Sequence, residues 1–569
     1  MGVPSFFQWL LRKYGENKIL HTNIKKNTGA LYLDANCLFH PQCFKVLKYC
    51  VKETDIDKLE DKMIARIINY IKYIIGIAIP TEYVYIAVDG VAPLAKIGQQ
   101  RKRRYRSVDD NKIKSDLMKK FKIAHNDKWS NIVITPGTEF MDKLDKALNE
   151  FCKTQKKYKI YYSSYHEAGE GEHKILQHIK KSTMTNDAIV VYGLDADLIF
   201  LTLASKQKNI YLLREVTQLG LKRQNDDIYD PIIDVAEELL YVSIDELTEF
   251  YNIEFKEAIY NYQKSNGSAI SDLTDVDFIN DFIVLCYLLG NDFLPHFPSL
   301  QIKTGGIEYI LGAYVELYDF YKKTIVDLSS GKVNVDLNQL GAILEILGSH
   351  ENDYFKHVLP EAMDRNSRKK CFGTSQYEKE LWNIENLKNV TIHDPIKLGV
   401  GEEDEWKFRY YEYYFKTSEH YKETVNDICM NYIEGILWVA QYYFEECQDW
   451  RWQYKYSHAP FISDVSHFLR RTDVNIQLKK SKPIKMYDQL LAVIPPFYKN
   501  LIPKNLISLM TNSNLIHMFP TYVELDMLHK EQLWQCVPLV PYLDIKEIEN
   551  YTSKIKLDEG ELKRLRIFE

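Results

Sequence analysis

The sequence of 569 residues predicts an α/β domain with a mostly parallel central sheet flanked by helices, followed by a second, mainly helical region rich in aromatic residues. Three observations lead to this fold class. Short apolar runs recur through the first 200 residues, helical patterns separate them, and acidic residues follow the runs. Continuous apolar runs of this kind are typical of strands that are buried on both faces of a parallel sheet.

The predicted strands are four apolar runs, and each run leads into one or two acidic residues. The runs occur in "ALYLDANCLFH", "YVYIAVDG", "YKIYYSSYHEAGEGEHK" and "AIVVYGLDADLIFL". The carboxylates that follow them are Asp34, Asp89, Glu170, Glu172, Asp195 and Asp197. One acid after a strand is commonly a helix cap, but the repetition favours a shared site. Because ligands bind outside the carboxyl ends of strands in open α/β sheets, we expect these side chains on one rim.

Helical patterns separate the predicted strands. They begin at Asp61 in "DKMIARIINYIKYIIGIAI", at Thr138 in "TEFMDKLDKALNEF" and at Glu172 in "EHKILQHIKK". In "DFIVLCYLLGNDFLPHFPSL", an apolar helix is expected to end at Gly290. Asp292 follows that glycine closely and becomes the seventh candidate for the acidic cluster.

Two main regions are predicted along the chain. Residues 1–350 form the α/β region, within which residues 205–280 are interpreted as mainly helical. Residues 351–405 are polar and weakly periodic, which indicates a linker or a crossing segment. Residues 406–569 form the second region, which contains "GILWVAQYYFEECQDWRWQYKYSHAPF".

Composition narrows the class of protein. The net charge is −6, with 46% hydrophobic and 27% charged residues, as in ordinary soluble globular proteins. The nine cysteines include no C-x-x-C pair, so we expect free thiols and neither disulfides nor structural zinc. We expect no transmembrane helix and no signal peptide. Phe6 stands where a myristoylation signal requires Ser or Thr.

Crowded carboxylates predict bound cations. Two carboxylates about 4 Å apart repel each other by roughly 4 kcal/mol at an effective dielectric constant near 20. The cluster must therefore take up protons or bind cations. Oxygen ligands without a nearby His or Cys set favour Mg²⁺ or Mn²⁺ over zinc, and two such ions could activate a water for phosphodiester hydrolysis. In "HEAGEGEHK", Gly169 and Gly171 would let Glu170 and Glu172 turn to the same site.

Basic and aromatic segments suggest how a nucleic acid would be held. "KIGQQRKRRYR", from Lys96 to Arg106, has six basic residues and no acid, which suits a phosphate pocket in an otherwise acidic protein, although a solvated charged face is the alternative. His40 and the rings of "DWRWQYKYSH" could stack on bases or pack in a core. Composition does not choose between Trp450 and Trp452.

These features together resemble the Xrn family of 5′→3′ exoribonucleases. The ordered segments that match are "MGVPSFFQWLLRKY", "LYLDANCLFH", "IAVDGVAPLAKIGQQRKRRYR", "ITPGTEFM", "HEAGEGEHK", "YGLDADLIFL", "LLGNDFLPHFPSL", "NYIEGILWVAQYYFEECQDWRWQYKYSHAP", "AVIPP" and "YVELDM", the last followed by Trp534. A single D-G or E-G-E would carry no weight, but this set follows the family's order along almost the whole chain.

The resemblance implies a PIN or 5′-nuclease-like core whose active site is closed by the second conserved-type block. It implies processive hydrolysis of single-stranded RNA with a 5′-monophosphate, such as decapped mRNA, to nucleoside 5′-monophosphates. The implied catalytic ligands of two Mg²⁺ ions, with Mn²⁺ as an alternative, are Asp34, Asp89, Glu170, Glu172, Asp195, Asp197 and Asp292.

The resemblance also assigns RNA-binding residues. The implied 5′-phosphate pocket consists of Lys96, Gln100, Arg103 and Arg104. Base stacking is implied for His40 together with Trp452, in preference to Trp450, and Pro93 matches the steric gate that excludes duplex RNA.

Three positions depart from the family pattern near this pocket. Leu94 replaces a usual Arg, and Ile97 and Gly98 replace a usual Met-Asn, so RNA contacts there are expected to be weaker. The long carboxy-terminal extension of large members and the zinc knuckle of many nuclear members have no counterpart. A compact version, such as a virus or a small-genome eukaryote carries, is therefore expected.

Alternative functions remain at this stage: a structure-specific flap or PIN-type endonuclease, and an inactive RNA-binding scaffold. We expect a monomeric core, with decapping or other RNA-processing proteins as candidate partners. The missing targeting signals favour a cytoplasmic location, with nuclear and virion association as alternatives.

Overall fold

The computed structural model describes residues 6–182, 187–219, 232, 237–417 and 421–568 of the chain. The first five residues of the amino-terminal family segment therefore lie outside the described residues. Among the helices that are described, none has both the length and the apolar character needed to cross a lipid bilayer.

The chain divides into two compact units. The sheet unit consists of Phe7–Leu247, Lys482–Val523 and Val540–Glu569. The helical unit consists mainly of Thr248–Ser481 and Glu524–Leu539. Each unit therefore combines segments that are far apart in the sequence. The domain boundaries at 350 and 406 stay predictions.

A seven-stranded sheet is the centre of the sheet unit. Its strands are β1 Leu20–His21, β2 Thr28–Asp34, β3 Tyr83–Ala87, β4 Lys159–Ser163, β5 Ala188–Tyr192, β6 Ile210–Glu215 and β7 Leu239–Ser243. They lie in the order β1-β7-β6-β5-β2-β3-β4. Strands β4, β3, β2, β5 and β6 run parallel, and β7 pairs antiparallel with both β6 and β1. The predicted, mostly parallel sheet is confirmed.

Helices surround the sheet and form most of the helical unit, which confirms the predicted fold class. The described α-helices are α1 Phe6–Tyr14, α2 Glu16–Ile19, α3 Ala35–Tyr49, α4 Ile56–Ala78, α5 Leu94–Lys120, α6 Glu139–Thr154, α7 Gly171–Lys181, α8 Asp197–Ala204, α9 Ile244–Asn266, α10 Ile279–Cys286, α11 Gly306–Tyr321, α12 Leu337–Gly348, α13 Glu351–Asp353, α14 Leu359–Ser367, α15 Gln376–Glu385, α16 Glu403–Phe415, α17 Tyr421–Phe444, α18 Ile462–Arg471, α19 Met486–Val493, α20 Ile507–Thr511, α21 Ile545–Thr552 and α22 Glu559–Arg564. Two short antiparallel pairs lie in the helical unit: β8 Val326–Asp327 with β9 Asn334–Val335, and β10 Leu525–Asp526 with β11 Val537–Pro538.

Local sequence explains where the helices near the sheet begin. Thr138 caps α6 by accepting a hydrogen bond from the Met141 N–H (3.4 Å), so this helix starts where the sequence predicts. Helix α4 starts earlier than the predicted Asp61, because Asp55 accepts hydrogen bonds from the Asp57 and Lys58 N–H groups.

Residues 205–280, interpreted from the sequence as mainly helical, contain the long helix α9 but also the strands β6 and β7, which the sequence analysis missed. Residues 220–231 and 233–236 of this segment lie outside the described part of the chain. Strand β6 is buried although it ends in two charged residues, Arg214 and Glu215. Glu215 accepts hydrogen bonds from the Tyr70 and Tyr192 hydroxyls, which makes its burial tolerable. The sequence analysis missed this strand because its apolar run ends in the charged residues Arg214 and Glu215.

Residues 351–405, interpreted from the sequence as a linker or a crossing segment, contain α13, α14 and α15. A π-helical turn, Tyr354–Val358, joins the first two of these helices. Tyr354 and Phe355 are buried in the hydrophobic core of the helical unit. This segment therefore contributes to a packed core despite its polar composition.

Residues that return to the sheet unit late in the chain fix the position of α5. Gln489 of α19 accepts a hydrogen bond from the Ala92 N–H (2.9 Å), just before α5 begins. Arg101 of α5 is buried and donates hydrogen bonds to the Ala492 and Met518 carbonyl oxygens. Arg101 is thus a packing residue within the basic run, and α5 is held along its first two turns.

Candidate functional site

Three adjacent parallel strands bring acidic residues to one edge of the sheet. Asp34 is the last residue of β2, which lies between β3 and β5. Asp89 follows β3, and Asp195 follows β5. Because the three strands run in the same direction, these carboxylates leave the sheet at the same edge.

Gly171 shows how closely Asp34 and Asp89 approach each other. A Cβ atom built on Gly171 would lie 2.9 Å from Asp34 Oδ1 and 3.3 Å from Asp89 Oδ1, so both oxygens surround one point. The Gly171 N–H also donates a hydrogen bond to Asp89 Oδ1 (2.7 Å). Gly171 is therefore required for close approach, whereas Gly169 is required for its backbone conformation, with φ at 115°.

Glu170 and Glu172 reach this edge from the start of α7. Glu170 is the N-cap residue and Glu172 lies in the first turn, where the positive end of the helix dipole favours negative charge. Both side chains are buried. Asp197 occupies the corresponding place in the first turn of α8 and is 1% exposed.

Burial and mutual repulsion together raise the pKa values of two of these acids. Burial raises the pKa of Asp34 to about 7, and the charges of Asp89 and Asp195 contribute to the increase. Burial also raises the pKa of Glu172, with further contributions from Asp197 and other acids of the cluster. The six side chains therefore act as one electrostatic group with an excess of negative charge.

The chemistry of this donor set fits a hard divalent cation, although no coordination shell is preassembled. Throughout the described ranges, no group of three or more His, Cys, Asp or Glu side chains is already arranged to hold an ion. Each of the six acids offers only oxygen ligands, which Mg²⁺ and Mn²⁺ prefer. Burial and, to a lesser extent, neighbouring acids raise the pKa values of Asp34 and Glu172 and so disfavour their charged forms, which a bound cation would favour.

Two buried basic residues that the sequence analysis did not select hold the backbone beside these acids. Lys174 Nζ donates hydrogen bonds to the Val88 carbonyl (2.8 Å), next to Asp89, and to the Ser164 carbonyl (2.9 Å). Arg214 donates to the carbonyl oxygens of residues 194 and 195. In the sequence, Lys174 could have been noticed as the lysine of "HEAGEGEHK", and Arg214 as an arginine near the end of an apolar run.

Two side chains at the start of α3 also contact the acids. Asn36 Oδ1 accepts a hydrogen bond from the Asp89 N–H (3.1 Å). The Cys37 thiol donates to Asp34 Oδ2 (2.8 Å), which partly offsets the increase in the pKa of Asp34. Neither residue could be selected from the sequence, because both contacts depend on tertiary structure and Asn near a helix start is common in any fold.

The predicted phosphate pocket lies on α5, and its first residue contacts the acidic cluster. Lys96 forms a buried ion pair with Glu170. Gln100 and Arg104 are buried: Arg104 Nη1 donates to Gln100 Oε1 (3.5 Å), and Nε donates to Thr135 Oγ1 (3.0 Å). Arg103 is exposed.

The charges of the same arginines act on the ring of His40. Burial, together with the charges of Arg103 and Arg104, lowers the pKa of His40 to about 3. Burial likewise lowers the pKa of Arg104 to about 9, with Arg103 contributing. His40 is therefore a neutral, half-buried ring next to a cluster of positive charge.

The positions that depart from the family pattern divide into two kinds. Leu94 and Ile97 are buried and belong to the hydrophobic core of the sheet unit. A Cβ atom on Gly98 would meet nothing within 4 Å, so this glycine leaves open space. Pro93 is the buried N-cap residue of α5. Leu94 and Ile97 thus contribute to packing, while Gly98 removes a side chain from the surface.

Asp292 lies in the helical unit, in the turn that follows α10. Gly290 takes a φ of 87°, which ends the preceding helix as the sequence predicts. Asn291 Oδ1 then accepts hydrogen bonds from the Phe293 N–H (2.9 Å) and the Leu294 N–H (2.8 Å). Asp292 is 8% exposed and is held in a turn with fixed geometry.

The two candidate stacking tryptophans have different surroundings in the helical unit. The ring of Trp452 is 8% exposed and stacks on Trp438 of α17, with centroids 5.2 Å apart. A Cβ atom on Gly435 would lie 2.9 Å from Trp452 Cη2, so α17 needs a glycine to receive this ring. Trp450 is half-buried. At least one face of Trp452 is therefore used for packing.

Comparison with known families gives two matches. Residues 1–216 match the profile described as the XRN 5′-3′ exonuclease N-terminus. Residues 274–386 and 361–567 match the profile described as the Xrn1 helical domain. Together these profiles cover most of both units.

Individual proteins that are similar to this chain are named 5′-3′ exoribonuclease 1 or 2. Human 5′-3′ exoribonuclease 1 is 30% identical over 600 aligned residues, which cover 96% of this chain and 34% of the human protein. A Drosophila melanogaster 5′-3′ exoribonuclease 2 homolog is 29% identical, with 96% of this chain and 70% of that protein covered. Saccharomyces cerevisiae 5′-3′ exoribonuclease 1 is 27% identical, with 98% and 44% covered. This chain thus spans about a third of the human relative and more of the fly relative.

Gly171→Ala tests whether the space between Asp34 and Asp89 is a cation site. The added methyl group would lie between the two carboxylates, so we expect the rise in melting temperature caused by Mn²⁺ to shrink by at least half. Differential scanning fluorimetry at several Mn²⁺ concentrations measures this. Gly76→Ala in α4 is the matched control, because a Cβ atom there meets nothing within 4 Å. A full Mn²⁺ response in Gly171→Ala would contradict the proposed location.

Trp452→Ala tests how far that ring serves packing. Removing a buried Trp costs about 3–5 kcal/mol, so the variant is expected to melt several degrees below Trp450→Ala, whose ring is half-buried. Thermal melting followed by circular dichroism compares the two. Equal melting temperatures would show that the stack on Trp438 contributes little stability.

Proposed function

This chain belongs to the Xrn family of 5′→3′ exoribonucleases, and we propose that it degrades single-stranded RNA processively from a 5′-monophosphate end. The products are nucleoside 5′-monophosphates, and decapped mRNA is a suitable substrate. The observation that carries this proposal is the ion pair between Lys96 and Glu170. It joins a helix rich in basic side chains to a cluster of carboxylates at the carboxyl edge of a parallel sheet.

The acids are proposed to hold two Mg²⁺ ions, for which Mn²⁺ can substitute. The proposed ligands are Asp34, Asp89, Glu170, Glu172, Asp195, Asp197 and Asp292. When bound, such ions supply Lewis-acid activation of water and stabilise the leaving oxygen of a phosphodiester. The oxygen-only donor set and the raised pKa values of Asp34 and Glu172 support this assignment.

The 5′-monophosphate is proposed to bind Lys96, Gln100, Arg103 and Arg104. Charge-assisted hydrogen bonds from arginine are strong and directional, which suits recognition of a terminal phosphate with two negative charges. The exposed guanidinium of Arg103 is the group best placed to meet a ligand from solvent. Arg104 supports it from a buried position.

Base recognition is proposed to use stacking rather than hydrogen bonds to particular bases. His40 and Trp452, with Trp450 as the alternative, would stack the first bases, and Pro93 would exclude duplex RNA. The neutral state of His40 supports this role, because an uncharged ring stacks without requiring a counter-ion. The second block, residues 406–569, is proposed to close the site.

A flap or PIN-type endonuclease is the second candidate, because acidic clusters at parallel sheets are common to such enzymes. The basic face of α5, with Lys96 paired to Glu170, favours recognition of a strand end. An inactive scaffold is disfavoured by the intact set of acids. We further propose a monomeric core that acts in the cytoplasm with other RNA-processing proteins.

A time course with purified protein and Mg²⁺ tests the proposed function. It compares one RNA sequence bearing a 5′-monophosphate, a 5′-triphosphate, a 5′-hydroxyl or a cap. We expect mononucleotides from the earliest times, and only efficiently from the 5′-monophosphate. Asp195→Ala should abolish degradation and leave RNA binding within about threefold. Oligonucleotide products would support the endonuclease instead, and full activity of Asp195→Ala would refute the role of that acid.

Arg103→Ala tests the proposed phosphate pocket. Loss of one charge-assisted hydrogen bond corresponds to about 1.5–3 kcal/mol, so the preference for 5′-monophosphate over 5′-hydroxyl RNA should fall by at least tenfold. Initial rates on the two RNAs give the ratio. Arg106→Ala is the matched control, because Arg106 lies on the same helix and pairs with Asp110 (3.1 Å). An unchanged ratio in Arg103→Ala would place the pocket elsewhere.

A further inference from the structure

Residues 564–568 pack against the loop that precedes the E-G-E motif. The Phe568 N–H donates a hydrogen bond to the His166 carbonyl (2.8 Å), and His166 Nδ1–H donates to the Arg566 carbonyl (2.6 Å). The Tyr165 hydroxyl donates to the Arg564 carbonyl (3.0 Å). Three hydrogen bonds between these two short segments therefore replace contacts with water.

Three aromatic rings form a continuous stack across the same contact. Tyr165 stacks on His166 with centroids 4.1 Å apart, and His166 stacks on Phe568 with centroids 4.7 Å apart. Tyr165 and His166 are buried, whereas Phe568 is 51% exposed. Phe568 thus covers a stack that would otherwise face solvent.

The segment itself is anchored in the sheet unit. Leu565 is buried, and its Cδ2 atom would lie 2.7 Å from a Cβ atom on Gly137. Arg564 Nη1 forms an ion pair with Glu139 Oε1 (3.2 Å). Because both anchors lie near the start of α6, the segment is fixed to the rigid part of the unit.

On its other side, the loop that contains His166 is bonded to the residues that follow Asp89. The Gly90 N–H donates to the Gly169 carbonyl (2.9 Å), and the Gly169 N–H donates to the Val91 carbonyl (2.8 Å). A Cβ atom on Gly90 would overlap the Glu167 carbonyl oxygen, so the two backbones are in direct contact. Residues 165–169 are therefore held between residues 564–568 and the loop of Asp89.

We propose that His166, clamped by residues 564–568, is a positioning residue that sets the relative placement of Asp89 and Glu170 in the exoribonuclease reaction. Glu170 directly follows Gly169, and Asp89 directly precedes Gly90, so the two hydrogen bonds between these glycine loops fix both acids. This inference rests on the proposed function for its catalytic consequence. The mechanical link itself rests only on contacts within the sheet unit.

The position of the clamp predicts which kinetic constant it affects. The contacts described for the clamp are with the loops that bear the acids, whereas Arg103 and Arg104, which are proposed to bind the terminal phosphate, lie on α5. Misplacement of reacting groups by a fraction of an ångström lowers the rate of the chemical step while ground-state binding persists. Loosening the stack should therefore lower kcat and leave KM for RNA nearly unchanged.

Phe568→Ala tests the inference, because the half-exposed ring can be removed without emptying a core. We expect amide hydrogen exchange at Gly90 and Gly169 to accelerate by about tenfold. We expect kcat on 5′-monophosphate RNA to fall by about five- to tenfold, with KM within twofold. Phe568→Tyr, which keeps an aromatic ring, should restore both readouts. Phe497→Ala is the matched control: Phe497 is 74% exposed in the same unit and contacts only the ring of Tyr498 among the described aromatic pairs.

The two readouts separate this inference from the proposed function. Unchanged exchange at Gly90 and Gly169 in Phe568→Ala would overturn the mechanical link, whatever the activity. Accelerated exchange with unchanged kcat would overturn the positioning role. If the wild-type protein released no mononucleotides, the proposed function would fail, and accelerated exchange would still support the link between the 564–568 segment and the two glycine loops.

Discussion

Repulsion among buried carboxylates is the constraint on which the rest of the site depends. Asp34 ends a central strand with acids on both sides of it, and its pKa is raised to about 7 by burial and by their charges. Such an arrangement persists only when protons, cations or rigid backbone contacts oppose the repulsion. Lys96 supplies a cation at the side chain of Glu170. Lys174 places a second positive charge beside Asp89, because its Nζ donates a hydrogen bond to the Val88 carbonyl.

Hydrogen bonds from basic side chains to the backbone differ in their effect from ion pairs with the acids themselves. A basic side chain bonded directly to every acid would neutralise the cluster and compete with metal binding. Lys174 and Arg214 donate to carbonyl oxygens next to Asp89 and Asp195, so they place positive charge near the acids through backbone contacts. These contacts fix the backbone at the ends of β3 and β5. Gly171 adds to this by leaving the central space empty.

Sequence patterns predicted the sheet because its central strands β2 and β5 are buried on both faces, and β2 has seven consecutive buried residues. They failed at β6, where Glu215 is buried and accepts hydrogen bonds from the hydroxyls of Tyr70 and Tyr192, contacts that no local pattern reveals. The contact between residues 564–568 and His166 was likewise invisible, because no local pattern marks a pairing across almost 400 positions. The candidate acids could be predicted from their positions after apolar runs. The residues that hold them in place could not, because their contacts join parts of the chain that are distant in the sequence.

Helix α5 connects end recognition to chemistry in the proposed reaction. Lys96, Gln100 and Arg103 are spaced by four and three residues, so they lie along one face of a single rigid helix. Lys96 at one end of this face pairs with Glu170, and Arg103 at the other end is exposed. The separation between the terminal phosphate and the acids is therefore set by helix geometry. A fixed separation selects one phosphodiester for each bound end, so an enzyme built in this way releases fragments of one size.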